Sequence, residues 1–322
     1  MVLEFKPGGT QSPGLSLRMW AGIAAGLAAG ALWALVFVAP RMVPGISGVD
    51  FTAGRFVSYG LLAFALLLLA KNRSRTKVWP TWAQSRAAVL MSLLGFTGYY
   101  LLLVYGIRDA GTEVPSLIIG TIPLWMMILG KPVGLSWKSL LPGLLLTGLG
   151  LALMMQVSYG ASAGAEPGAG HVHFWRGVAY SLASMVCWTA FGLMNAKWLK
   201  DHPEVSATTW ANWLGVATGL GALVIWLAAG SEPKVLLAEK NIALIAILSV
   251  ATGIGSAWVA TILWNIASQR LPASLCGQLI VSETIFALIY SFVWDGQWPS
   301  LVQCAAAALF FAGILASIRA HR

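Results

Sequence analysis

Ten stretches of this chain are long and apolar enough to cross a lipid bilayer, and that succession constrains the fold more than any motif. A helical span needs ~20 predominantly apolar residues. Such runs cover approximately 19–39, 49–70, 84–107, 112–130, 137–157, 174–197, 205–229, 240–267, 271–294 and 299–318. No water in hydrocarbon satisfies backbone polar groups, so each run closes its own hydrogen bonds as a helix. Residues that are 58% hydrophobic and only 10% charged exclude a soluble globular protein. The expectation is an all-α polytopic membrane protein of ten transmembrane helices.

The formal net charge of +9 does not point to nucleic acid. Its Lys and Arg sit in short loops between apolar runs, the placement that sets membrane orientation. With both termini cytoplasmic, that side collects the larger share, densest in the loop from Lys71 to Lys77. The outer side holds Arg41, Arg108, Arg176, Lys234 and Lys240. The Gly/Pro-rich start, 1–18, reads as a cytoplasmic tail and not as a cleavable signal. Residues 319–322 form a second cytoplasmic tail.

The longest polar connection, 158–173, divides the chain into five-span units at 19–157 and 174–318 and serves as an extracytoplasmic linker. Five is odd, so a duplicated half lies upside down relative to its partner. Leu32-Trp33-Ala34 resembles Cys187-Trp188-Thr189, and Thr97-Gly98-Tyr99 resembles Ser256-Ala257-Trp258. These likenesses recur in the same order in the two halves, which predicts two inverted five-helix repeats around a central cavity.

Small residues recur every four positions at Gly22, Gly26 and Gly30, at Gly215 and Gly219, and at Ala308, Ala312 and Ala316. Such stripes let helices approach closely. Pro115 and Pro123 fall within the fourth run, where proline frees backbone carbonyls and favours a kink. Both are candidate hinges.

One acid, Glu283, lies near the middle of an apolar run. Burying a carboxylate there costs at least a few kcal/mol, so it faces a cavity or a partner. It either pins two helices together or belongs to a substrate site. Interfacial anchoring explains eight of the sixteen Trp, all close to span ends, but not Trp33, Tyr99, Tyr100, Trp188, Trp258 or Tyr290. Trp33 lies roughly 6 Å outward of its span's centre and Trp188 roughly 4 Å inward of its own, as an inverted repeat requires. These rings with Glu283 predict an aromatic-walled cavity for a small amphipathic solute, its ammonium received by Glu283. Gln278 and Asn265 are candidates for further hydrogen bonds, to the solute or to a neighbouring helix. Arg55 enters its span near the outer end, where snorkelling to the interface accounts for it and contact with a substrate carboxylate is the alternative. With no other cation in the spans, anionic substrates are disfavoured.

A Trp-containing first helix (GALWALVF, 30–37), two five-helix halves and the segment 257–290 together resemble the drug/metabolite transporter superfamily of the EamA type. Glu283 stands where that family has the Glu of a Glu-Pro pair, but Thr284 replaces the proline; Pro123 keeps it in the first half. The Leu263-Trp264-Asn265 string is similar to YddG-type amino-acid exporters within the superfamily. The resemblance implies the bacterial inner membrane and outward release of aromatic and other neutral amino acids by alternating access. It also implies a path lined by helices three, four and six and by eight, nine and one. By position it points to Trp33, Tyr99, Trp188, Trp258 and Glu283.

Other functions are less well supported. His171, His173, His202 and His321 lie in loops or the tail, and no HExxH or paired intramembrane acids suggest an enzyme. No selectivity-filter pattern suggests a channel, and Cys187, Cys276 and Cys304 offer no metal spacing. A multidrug or quaternary-amine efflux pump is the main alternative. Without a Walker motif or a second relay acid, facilitated uniport is favoured over proton antiport. No cofactor is expected. The partners are the bilayer and a small amino acid or related amine, with the protein a monomer or weak homodimer.

Overall fold

The computed structural model describes residues 13–43, 45–73, 79–110, 113–162, 173–296 and 298–321. Eleven helices carry the fold: α1 (Pro13–Ala34), α2 (Gly48–Arg73), α3 (Trp82–Ala110), α4 (Glu113–Gly120), α5 (Ile122–Leu129), α6 (Trp137–Ser162), α7 (Phe174–Asp201), α8 (Ala207–Ala229), α9 (Ile242–Arg270), α10 (Ala273–Asp295) and α11 (Leu301–Ala320). Among the described residues there is no strand. Nine of these helices are long and apolar enough to cross a membrane.

The exception is the fourth apolar run. It is two helices, α4 and α5, whose seventeen residues from 113 to 129 extend only about 25 Å. Pro123 lacks the N–H that would bond to the carbonyl of residue 119, so the ladder stops at Thr121. There the Thr121 N–H (3.1 Å) and hydroxyl (2.7 Å) both turn back to the Ile118 carbonyl. Pro115 makes no break: it lies in the first turn of α4, where proline is tolerated. The first helix also ends sooner than expected. It gives way after Ala34 to 3₁₀ turns at Leu35–Phe37 and Ala39–Met42, since the residue before Pro40 disfavours the α region. Two long helices contain π-helical turns, Leu93–Thr97 in α3 and Gly253–Val259 in α9.

Packing follows the small residues. On α1, Gly26 faces Leu279, and a Cβ there would stand 2.7 Å from its Cδ1; Gly30 faces Ser282 and the Glu283 backbone. Between α2 and α8, a Cβ on Gly60 would come within 2.7 Å of the Gly219 Cα. The last helix differs from its expected face. Ala308 is exposed, and α11 meets α6 through Ala306, Phe310, Gly313 and Ser317, set against Gly143, Thr147 and Gly150. Away from these seams, Leu141, Leu145 and Leu149 on α6 are 50–56% exposed at four-residue spacing, a side suited to acyl chains. Other close pairs include α3 with α7 and α8, α9 with α1, α2 and α8, α10 with α1 and α5, and α4 with α7.

Candidate functional site

Three indoles from three helices meet in the interior. The Trp33 ring of α1 lies 6.3 Å from Trp188 of α7 and 5.3 Å from Trp264 of α9, and the last two are 6.1 Å apart. These centroid distances are in the range of favourable aromatic pairs. The helices approach because their contacts are small or internally bonded: Ala29 is fully buried, and the Ser256 hydroxyl donates to the Leu32 carbonyl (2.6 Å). From Trp188 the rings continue through Phe191 (6.0 Å) and Phe96 (5.5 Å) to Phe56 (5.9 Å). The π turn of α3 carries Phe96 into this row, and a Cβ at its Gly95 would collide with Phe191.

Arg55 ends the row. Its guanidinium carbon lies 4.6 Å from the Phe56 ring centroid, and its Nε is buried without a hydrogen-bond partner. This overturns the snorkelling expectation, because the side chain is directed inward. Position along the span gave depth, not direction. Arg55 and Glu283 lie near enough to act on one another electrostatically. Glu283 is half-buried and forms no ion pair or hydrogen bond among the described residues. It does not pin two helices by its side chain.

The other sequence candidates separate. Tyr99 is half-buried on α3, and its carbonyl accepts from the Ser184 hydroxyl (2.9 Å). Trp258, in the π turn of α9, packs beside Phe56 and Tyr59, and its indole N–H donates to Asn212 Oδ1 (2.8 Å). Gln278 is placed elsewhere. Fully buried, it donates from Nε2 to Thr147 Oγ1 (2.9 Å) and accepts at Oε1 from Ser317 (3.1 Å), joining α10 to α6 and α11. Asn265 is likewise engaged, accepting from Asn195 (3.1 Å) and donating to the Ala207 carbonyl (3.2 Å). Sequence reasoning singles out neither Trp264, which belongs to the family-like string, nor Arg55, for which snorkelling is the simpler account and a substrate carboxylate the alternative.

Burial along α10 is one-sided. On α10 every residue from Ser274 to Ser282 is buried, whereas every residue from Glu283 to Leu288 keeps some exposure. Those six residues cover more than one turn and so all sides of the helix, so the exposure is not confined to a lipid face. The other end is closed by backbone contact. The Ser274 N–H donates to the Gly130 carbonyl (3.2 Å), and Gly277 and Gly192 both sit against Met126. Beyond this seal, on the lysine-rich end, a cavity of about 390 Å³ lies among Lys131, Lys197, Lys200 and Pro272, away from the indoles. Its Lys197 is paired with Asp201 (2.7 Å).

Comparison with known proteins bears on this geometry. The model of the EamA-like transporter family matches residues 20–156 and 175–319. The inner membrane protein YtfF of Escherichia coli (strain K12) is 30% identical, the match covering 94% of this chain and 96% of that protein. A solved crystal structure superposes with a TM-score of 0.74 over 94% of this chain and 98% of the other; at 18% identity it bears on the fold alone.

Proposed function

This chain belongs to the EamA-like transporter family and is a multi-pass membrane transporter; from that premise we propose that it exports small amphipathic solutes, above all aromatic and neutral amino acids, by alternating access. The observation that carries the reading is the meeting of Trp33, Trp188 and Trp264 in an interior that also holds the unpaired Glu283. Indole faces supply apolar area for a side chain and attract a cation, and Glu283 supplies the matching charge for an ammonium group.

Two inverted halves are part of the proposal, with α4 and α5 together as the fourth of ten spans. Its support lies in how the helices pair. Helix α2 packs on its counterpart α8, and α6 on its counterpart α11; α3 against α7 is answered by α9 against α1. The two π turns occupy matching places, and the family match falls once on each half. In such an arrangement a rocking motion of one half against the other exposes a fixed site to each side in turn. The one-sided exposure of α10 fits one end of that cycle. Both termini lie in the cytoplasm, and Pro123 lets α4 and α5 move apart at Thr121. Movement follows the solute's own gradient and is not exchanged for protons, because a proton path needs a relay beyond Glu283.

The test uses purified protein in liposomes loaded with unlabelled phenylalanine or leucine. Saturable counterflow of the labelled amino acid is expected, persisting with a protonophore and reduced at least about tenfold by Trp33→Ala. Counterflow of quaternary amines without amino acids would instead favour the efflux-pump reading. Loss of all exchange on adding protonophore would refute uniport.

A further inference from the structure

We propose that Arg55 and Glu283 are the two poles of a site for a zwitterion, Arg55 taking a free carboxylate and Glu283 a free ammonium, so that the substrates are unmodified α-amino acids with apolar side chains. This rests on the transport reading above and names its substrate class.

Arg55 has the features of a group awaiting an anion. It lies about 10 Å inside the start of α2, with its Nε buried and unbonded. The side chain is nevertheless held in place. Its guanidinium is seated on Phe56, whose ring is edged by Phe96 (5.9 Å) and Tyr100 (6.4 Å), and the Tyr100 hydroxyl is tied to the Gly48 carbonyl (2.5 Å). A planar fork of donors fixed in this way is suited to a carboxylate.

The nearby acids do not supply that carboxylate. Asp50, on the same helix, accepts from Ser47 (2.5 Å), from the Ser231 hydroxyl (2.6 Å) and N–H (2.9 Å), and from the Trp226 indole (3.0 Å). Asp109 is paired with Arg176 (2.6 Å). Glu283 acts on Arg55 electrostatically but makes no ion pair with it. Two opposite charges therefore share one interior without neutralising each other by contact. A simple amine satisfies Glu283 and leaves Arg55 unpaired, and a simple carboxylate does the reverse. A dipolar ion satisfies both, and the row of rings from Trp33 to Phe56 covers its side chain. A pathway with Arg55 as its one cation in the spans disfavours a simple anion but not a carboxylate carried by a zwitterion.

The experiment is competition against labelled phenylalanine in counterflow, with phenylalanine methyl ester, phenethylamine and 3-phenylpropionate as probes. In the wild type each probe should compete about tenfold or more weakly than phenylalanine, the loss of a charge-assisted hydrogen bond. Arg55→Gln should weaken phenylalanine but bring it level with its ester, and Arg55→Lys should restore part of the preference. Glu283→Gln should bring phenylalanine level with 3-phenylpropionate. Melting in detergent, unchanged for Arg55→Lys, shows that the variant protein is folded. If ester or amine competes as well as phenylalanine in the wild type, the two-pole site is wrong and the transport reading stands. If no amino acid is carried at all, both fail.

Discussion

Gln278 and Glu283 lie little more than one helical turn apart on α10, yet their surroundings give them opposite duties. Gln278 bonds to Thr147 and Ser317, so Gln278→Ala leaves buried hydroxyls without partners. We expect it to cost about 1–3 kcal/mol, read as a lower melting temperature in detergent, with transport per folded molecule unchanged. Glu283 bonds to nothing in the described protein, so Glu283→Gln should leave melting within a degree or so of wild type and reduce phenylalanine counterflow by about tenfold or more. A fall in melting temperature with intact transport would reverse the two assignments. In the sequence both are polar residues in an apolar run. What separates them is contributed by α6 and α11, and no local pattern reports that contact. Trp33 and Trp188 were legible because their neighbours are alike, Leu32-Trp33-Ala34 and Cys187-Trp188-Thr189. Trp264 was obscured because a chain with sixteen Trp offers many equivalent candidates. Arg55 stood between two readings because the direction of a long side chain is set by what lies beside it, here the Phe56 ring.

At the scale of elements, apolar length located the spans to within a few residues, since that length is fixed by the bilayer. It did not show that the fourth run is broken, which depends on one missing N–H at Pro123. Pro123→Ala restores the donor and should join α4 to α5. Slower amide hydrogen exchange around 118–125 and a lower transport rate are expected, whereas unchanged exchange would mean that the Thr121 turn is held by its hydroxyl alone. Small-residue stripes were legible as seams on α1 and α8 but not on α11, where Ala308 is exposed and Gly313 faces α6. Spacing identifies a face; it does not identify which of several faces meets a neighbour. The same distinction gives a paired prediction. Gly60→Ala puts a methyl 2.7 Å from the Gly219 Cα and should cost about 1–3 kcal/mol by forcing α2 from α8. Gly148→Ala meets nothing within 4 Å and should add up to about 0.5–1 kcal/mol of stability in a helix interior, read as an unchanged or higher melting temperature.

For the whole molecule, the sequence conveyed the membrane class, because it is written in a repeated local pattern of apolar runs. It did not convey which end of the interior is closed, because helix tilt is settled by many contacts at once. The seal consists of α5 against α10, with Gly130, Met126, Ala273 and Gly277 in contact range. Alternating access requires that this seal open in every cycle, whereas a channel that is always open does not. A Cβ on Gly130 would stand 2.9 Å from that of Ala273, slightly inside the ~3.5–4.5 Å that a disulfide spans. The pair Gly130→Cys and Ala273→Cys, in a chain with Cys187, Cys276 and Cys304 replaced, should therefore crosslink on oxidation. Transport is then expected to stop and to return with reductant. A third cysteine at Phe286, on the exposed half of α10, should stay reactive throughout to an impermeant thiol reagent applied from the face opposite the termini. Transport that continues through the crosslinked protein would mean that solute does not pass this seal, and the rocking of two halves would have to be abandoned. Arrested transport with the site still open to one face is what a carrier stopped halfway through its cycle must show.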